Sequence, residues 1–159
     1  MIKLSAYYDK NSSTGQVFYN PAEKGFDTLP DVKSDITLLI AYVNIGFDSD
    51  DMCSNQVFGL SPEYSWIRQK LLAPKDFSKC ALKLNEDFDY GTWRLDRGNE
   101  WKTYYDADSG WICIGTPQIK GQAININFLN NAIATLNMQG ELQSLWMKPL
   151  ITDDILLTF

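Results

Sequence analysis

From residue 80 onward, apolar and polar side chains alternate in short runs, and each run ends at a cluster of turn-forming residues. Cys80, Leu82 and Leu84 alternate with Ala81, Lys83 and Asn85, and Trp93 and Leu95 with Thr92 and Arg94. Trp101, Thr103 and Tyr105 alternate with Lys102 and Tyr104; Ile124, Ile126 and Phe128 alternate with Asn125 and Asn127. Successive side chains on a strand point to opposite faces, so a period of two makes one face apolar and the other polar. The breaks fall at Asp96-Arg97-Gly98-Asn99, Asp106-Ala107-Asp108-Ser109-Gly110 and Asn130-Asn131. Asp and Asn side chains hold turn backbones, and Gly and Asn accept positive φ. A chain written this way folds as β-structure with hairpin connections. Its five Trp, eight Tyr and eight Phe, 13% of the residues, fit the same reading, because rings pack well on a half-buried pleated surface.

The first third extends the pattern. Ile2 to Tyr8 reads as a strand, Asn11 to Gly15 as a turn and Gln16 to Tyr19 as the returning strand of a hairpin. Asp35 to Gly46 is the most apolar stretch and reads as one central strand. One helix is expected near 62–72. Ser61 can cap it, Pro62 suits its first position, and Tyr64, Ile67 and Leu71 form a single stripe that ends before Pro74. Trp111 to Ile114 is apolar at successive positions, as in a strand covered on both faces. The expected fold is mainly β (α+β): an antiparallel meander, curved sheet or sandwich of about 8–10 strands with one main helix. The 159 residues form a single domain, 1–159, large enough to hold a core without disulfide or metal.

Residue chemistry narrows the function. The chain has no histidine, which removes Ser-His-Asp and Cys-His catalysis and His-ligated zinc or iron. Cys53, Cys80 and Cys113 are far apart and odd in number, so they read as small apolar residues in a reducing compartment. No glycine-rich dinucleotide or phosphate loop occurs. Asp106 to Gly110 begins like a calcium loop, but the positions that need Gly and Glu hold Trp111 and Pro117. No catalytic group, cofactor or metal is therefore expected. One alternative stays open. Glu63, Glu86, Asp87, Asp89 and Glu100 lie near tryptophans in the sequence, so a ligand- or carbohydrate-binding β-domain with carboxylate hydrolysis would show a concave pocket with an exposed Trp and two convergent acids.

Met1 to Ser5 leads into alternating residues without the apolar stretch of a signal peptide, and no run is long enough to span a bilayer. A cytoplasmic protein is expected. The net charge of −6 disfavours direct nucleic-acid or membrane contact and favours a basic partner; a homo-oligomer is compatible with the composition. Residues 48–110 carry twelve acids against eight bases, and the acids cluster at expected loops. The candidate partner-binding residues are Asp48, Asp50 and Asp51; Glu86, Asp87 and Asp89; and Asp106 and Asp108. Gathered on one surface, they would steer a basic protein.

Trp111-Ile112-Cys113-Ile114-Gly115 and Leu145-Trp146-Met147-Lys148-Pro149 have the look of fixed points in a small domain. In overall character (small, acidic, β-rich, without catalytic motifs) the chain resembles the immunity proteins of bacterial contact-dependent and polymorphic toxin systems. The resemblance implies tight, stoichiometric, non-catalytic binding that neutralises a toxin domain, commonly a basic nuclease.

Overall fold

The apolar run from Ile36 to Val43 is not one strand. It folds back at Ala41-Tyr42, where Ala41 takes a φ of 56°. The structure, a computed structural model, describes residues 2–152. In chain order the strands are β1 (Leu4–Tyr7), β2 (Gln16–Asn20), β3 (Gly25–Leu29), β4 (Ile36–Ile40), β5 (Val43–Asp48), β6 (Cys53–Leu60), β7 (Ile67–Arg68) and β8 (Ser78–Lys79). Then come β9 (Ala81–Leu84), β10 (Gly91–Arg94), β11 (Thr103–Tyr105), β12 (Ile112–Gly115), β13 (Ile124–Leu129), β14 (Ala132–Leu136), β15 (Leu142–Met147) and β16 (Leu150–Ile151).

They build two mixed sheets. The first runs β10-β4-β5-β6-β3-β2-β16, with β9 joined to both β6 and β1; the second runs β7-β11-β12-β15-β14-β13-β8. The mainly-β expectation holds, but sixteen strands are present among the described residues instead of eight to ten. The surplus includes β7, β8 and β16, two residues each and too short to show a period. The fold is also not purely antiparallel. The parallel pairs β10–β4, β16–β2, β11–β7 and β13–β8 all lie at sheet edges. Antiparallel pairs form the interior of each sheet, and the short parallel strands close the margins.

The helix expected near 62–72 is absent. Glu63–Ser65 makes one 3₁₀ turn, and the chain then extends into β7. The stripe that suggested a helix is not buried as one, since Tyr64 is 80% exposed and Ile67 39%. Trp66 is the residue that points inward. Its ring packs on Tyr19, Phe26 and Tyr105, and its Nε1 donates to Ser61 Oγ. A helix this short is marginal on propensity alone, so tertiary packing decides its conformation.

This turn also carries a titratable joint. The Tyr19 hydroxyl shares its one proton between the Ser61 carbonyl and the Glu63 carboxylate, while Lys24 Nζ sits 2.9 Å from the other Glu63 oxygen. The Tyr19 hydroxyl and the Lys24 ammonium hold the Glu63 carboxyl well below the usual range, at about 2. Burial first, and the adjacent carboxylate second, push the Tyr19 phenol up. A depressed acid stabilises the fold above its unfolded pKa and loses that contribution as pH falls through its folded pKa. Glu63→Gln is therefore expected to lower the urea midpoint at neutral pH. The gap from wild type should close as pH falls from 4.5, the ordinary glutamate value, towards about 2. A gap that does not change with pH would remove the Glu63 ion from the joint.

The hairpin expected from Ile2 to Tyr19 does not form either. β1 pairs with β9, and β2 pairs with β3. The turn-rich stretch between β1 and β2 crosses to the second sheet, where Ser13 N–H donates to Phe128 C=O and Asn130 N–H to Gly15 C=O. β3 and β6 pair only at Gly25–Leu60 and Phe26–Gly59. Beyond that point Thr28 Oγ1 both donates to Val57 C=O (2.7 Å) and accepts Val57 N–H (2.9 Å). One buried hydroxyl thus replaces two ladder bonds where the sheet forks towards β9.

The inner faces of both sheets share one apolar core, with Ile36, Leu38, Ile45, Phe47 and Val57 on one side and Ile112, Ile114, Phe128, Leu136 and Leu145 on the other. The second sheet is covered on its outer face as well. β7 and β8 occupy its two opposite edges, so the connection 69–77 crosses the whole face as a strap. Leu71 on this strap packs with Cys113, Ile133 and Trp146. Gln69 N–H donates to Tyr105 C=O, Leu71 N–H to Asp106 Oδ2, and Asn125 Nδ2 to Asp76 C=O. The strap explains why Ile112, Cys113 and Ile114 are all buried, as the apolar run implied. Among the described residues no helix is long and apolar enough to cross a membrane.

Candidate functional site

Two of the three acidic loops meet at one end of the first sheet. Asp48, Asp50 and Asp51 belong to the turn between β5 and β6. That turn is locked by Met52 N–H to Asp48 C=O (2.7 Å), Asp50 N–H to Asp48 Oδ1 and Cys53 N–H to Asp51 Oδ1. Glu86, Asp87 and Asp89 lie in the loop 85–90, and all three are exposed. That loop starts where Leu84 N–H donates to Met52 C=O and ends where Gly91 N–H donates to Asp35 C=O. The Asp35 carboxylate in turn accepts the Ser49 N–H and hydroxyl. Both ends of loop 85–90 are therefore tied to the 48–52 turn.

An aromatic pair keeps the loop's shape. Phe88 packs against the main core and meets Trp93 with ring centroids 5.0 Å apart, and Trp93 Nε1 donates to Asp89 C=O. With Phe88 turned inward, Glu86, Asp87 and Asp89 face solvent. Asp35 joins this face although it stands alone in the sequence. The register that pairs Ile36 with Phe47 sets Asp35 opposite Asp48. Recognising a hairpin within 36–48 would have found it, but Ala41-Tyr42 carries no turn signal.

The electrostatics are those of a preset anionic surface. The Ser49 hydroxyl holds the Asp35 carboxyl below its ordinary range. Asp51 is lifted by partial burial but lowered more strongly by Lys10 and the Cys53 N–H, and the Asp51 bond raises Lys10 in return. The Lys10–Asp51 pair is open to water, so it contributes only about 0–1 kcal/mol. Tyr90, 77% exposed at the end of loop 85–90, offers apolar area beside the charge. Ionised carboxylates and aromatic rings here can pair with Lys and Arg and pack against a protein.

The third cluster does not join them. The Asp106 turn lies at the end of the second sheet where Tyr105, Ile112 and Met147 pair across. The opposite end carries Gly140, whose carbonyl accepts Leu4 N–H, and Leu4 pairs with Leu84 next to the acidic loops. Asp106 is also buried. Its carboxylate accepts the N–H groups of Leu71, Asp108 and Ser109, so it closes its own turn and fastens the strap. Asp108 is exposed but stands apart. Among the tryptophans, Trp146 is core, Trp66, Trp101 and Trp111 are half-buried, and Trp93 is 39% exposed.

Among the described residues no group of three or more His, Cys, Asp or Glu side chains is arranged to hold a metal ion. Cys53, Cys80 and Cys113 are buried free thiols, each pushed up by burial. No protein-family model matches the chain, and no curated protein matches it significantly.

Proposed function

We propose that this protein acts by stoichiometric, non-catalytic binding of a basic protein domain on the acidic end of its first sheet. The observation that carries the reading is the double tie between the 48–52 turn and loop 85–90, which gathers Asp35, Asp48, Asp50, Asp51, Glu86, Asp87 and Asp89. Acids distant in sequence become one field, and such a field speeds encounter with a basic surface. Tyr90 and Trp93 beside it supply the kind of aromatic area that typically dominates binding energy. The partner we propose is a toxin domain with a basic substrate surface, neutralised as the immunity proteins of bacterial polymorphic toxin systems neutralise theirs. Asp106 and Asp108 are left out of the interface.

The test starts from co-purification of a stoichiometric basic partner and proceeds to association kinetics with that partner. Nanomolar or tighter binding is expected, with an on-rate that falls as salt rises. Reversing Asp87 and Asp89 to Lys together is expected to slow association by about tenfold or more while leaving the melting temperature near wild type. An on-rate indifferent to that reversal removes the acidic end from the interface. A partner that is neutral or acidic removes the class.

A further inference from the structure

A concave surface lies past the Arg94 end of β10, and its lining residue Ile2 is next in sequence to Lys3, whose carbonyl accepts the Asn85 N–H at the start of loop 85–90. It is a hollow of about 580 Å³ whose lining includes the apolar side chains of Ile2, Leu95 and Leu142 and the ring of Trp101. The 3₁₀ turn Gly98–Glu100 delivers Trp101, whose N–H donates to Gly98 C=O. β12 makes room for the ring. A Cβ on Gly115 would stand 2.9 Å from both Cε3 and Cζ3 of Trp101, so the indole occupies the space of a missing side chain. The indoles of Trp66, Trp93 and Trp146 each donate to a protein acceptor. Trp101 Nε1 has no such acceptor among the described residues, and no buried side-chain nitrogen or oxygen there lacks a partner. Its N–H therefore faces accessible space.

The polar groups around the ring are partly engaged and partly open. Arg97 Nε donates to Glu100 Oε2, Asn137 Nδ2 donates to Glu141 Oε1, and Gln143 Nε2 donates to the Glu141 carbonyl. The second oxygens of Glu100 and Glu141, the side-chain Gln143 Oε1 and the terminal nitrogens of Arg97 have no partner among the described residues. The rim thus offers both acceptors and donors beside an aromatic wall.

We infer that this hollow binds a neutral sugar ring packed against Trp101. The C–H face of a pyranose is apolar and flat enough to cover an indole, and its hydroxyls each donate and accept, as this rim requires. An anion would meet Asp96, Glu100 and Glu141 against the single Arg97. A cation would be drawn by this net negative rim but would leave the Trp101 N–H and the terminal Arg97 nitrogens without an acceptor. A neutral polyol can pair with the donors and the acceptors alike. The site adjoins the acidic end but uses other residues, so the Asp87 and Asp89 reversal and the variants below test the two readings separately.

The experiment is a titration of the full chain, followed by the Trp101 indole N–H resonance, with maltotriose, cellotriose and chitotriose, and with choline and glucuronate as charged comparators. A saturable shift of that resonance is expected with at least one of the three neutral sugars. Trp101→Ala, which removes that reporter and is followed by calorimetry, should abolish binding. Because Trp101 also packs on the core, Glu141→Gln on the rim is the second variant, expected to weaken affinity by about tenfold, the size of one lost charge-assisted hydrogen bond. No shift from any neutral sugar, a response to the charged compounds alone, or affinity unchanged in Glu141→Gln would each overturn the assignment.

Discussion

Trp146→Ala is expected to lower the free energy of unfolding by about 3–5 kcal/mol, a large share of what a natural domain possesses. Trp146 is 2% exposed, on the outer face of β15 between Cys113 and Ile133. Its ring meets Trp111 edge-on at 6.4 Å, its Nε1 donates to Ser144 Oγ, and Leu71 of the strap lies in the same cluster. Truncation removes the largest body under the strap and leaves Ser144 without its donor. A urea titration should show a lower midpoint with the slope preserved, the signature of lost stability without loss of cooperativity. Trp111→Ala, at a half-buried ring, should cost less. A loss below about 1 kcal/mol for Trp146→Ala would mean that the strap does not seal this face.

Gly59→Ala is expected to be nearly as damaging, on the order of 3 kcal/mol, for a different reason. Gly59 has a φ of 139°, where an L side chain is strained by about 1–3 kcal/mol. Its Cβ would also stand 2.3 Å from Tyr42 O and 2.9 Å from Val43 Cα. Both obstacles are backbone, so no rotamer change relieves them. Gly59 pairs with Phe26 on one side and Val43 on the other, which prevents either neighbour from moving alone. Gly91→Ala separates the two contributions, because Gly91 has a φ of 125° and open space where its Cβ would go. It should show the strain without the collision. Equal melting temperatures for the two variants would rule out the collision at Gly59.

Local chemistry was readable where it repeats locally. The alternation at Cys80–Leu84 and Ile124–Phe128 became β9 and β13, and the two-faced apolar run became β12. The reading failed where a residue's conformation depends on a remote partner. Ser61-Pro62-Glu63 looks like a helix start, yet Tyr19 and Trp66 recruit Ser61 and Glu63 into a joint between strands. Asn127 looked solvent-facing from its polarity. It is buried, and its Nδ2 donates to Leu129 and Ala132 carbonyls at the β13–β14 reversal. Each acidic cluster could be located by eye, but not which clusters share a face. That depends on the Leu84–Met52 and Gly91–Asp35 bonds, between residues more than thirty positions apart.

The order of residues alone determined a β-rich class, the places where many strands end and a chemistry without histidine, because strand period and side-chain identity are properties of neighbouring positions. Only the tertiary structure decided that β1 leaves β2 for β9, that residues 69–77 roof the second sheet and that Asp106 stays apart from the other acids. Those outcomes turn on which apolar faces find mutual cover once loops close, a competition among distant segments that no local pattern records.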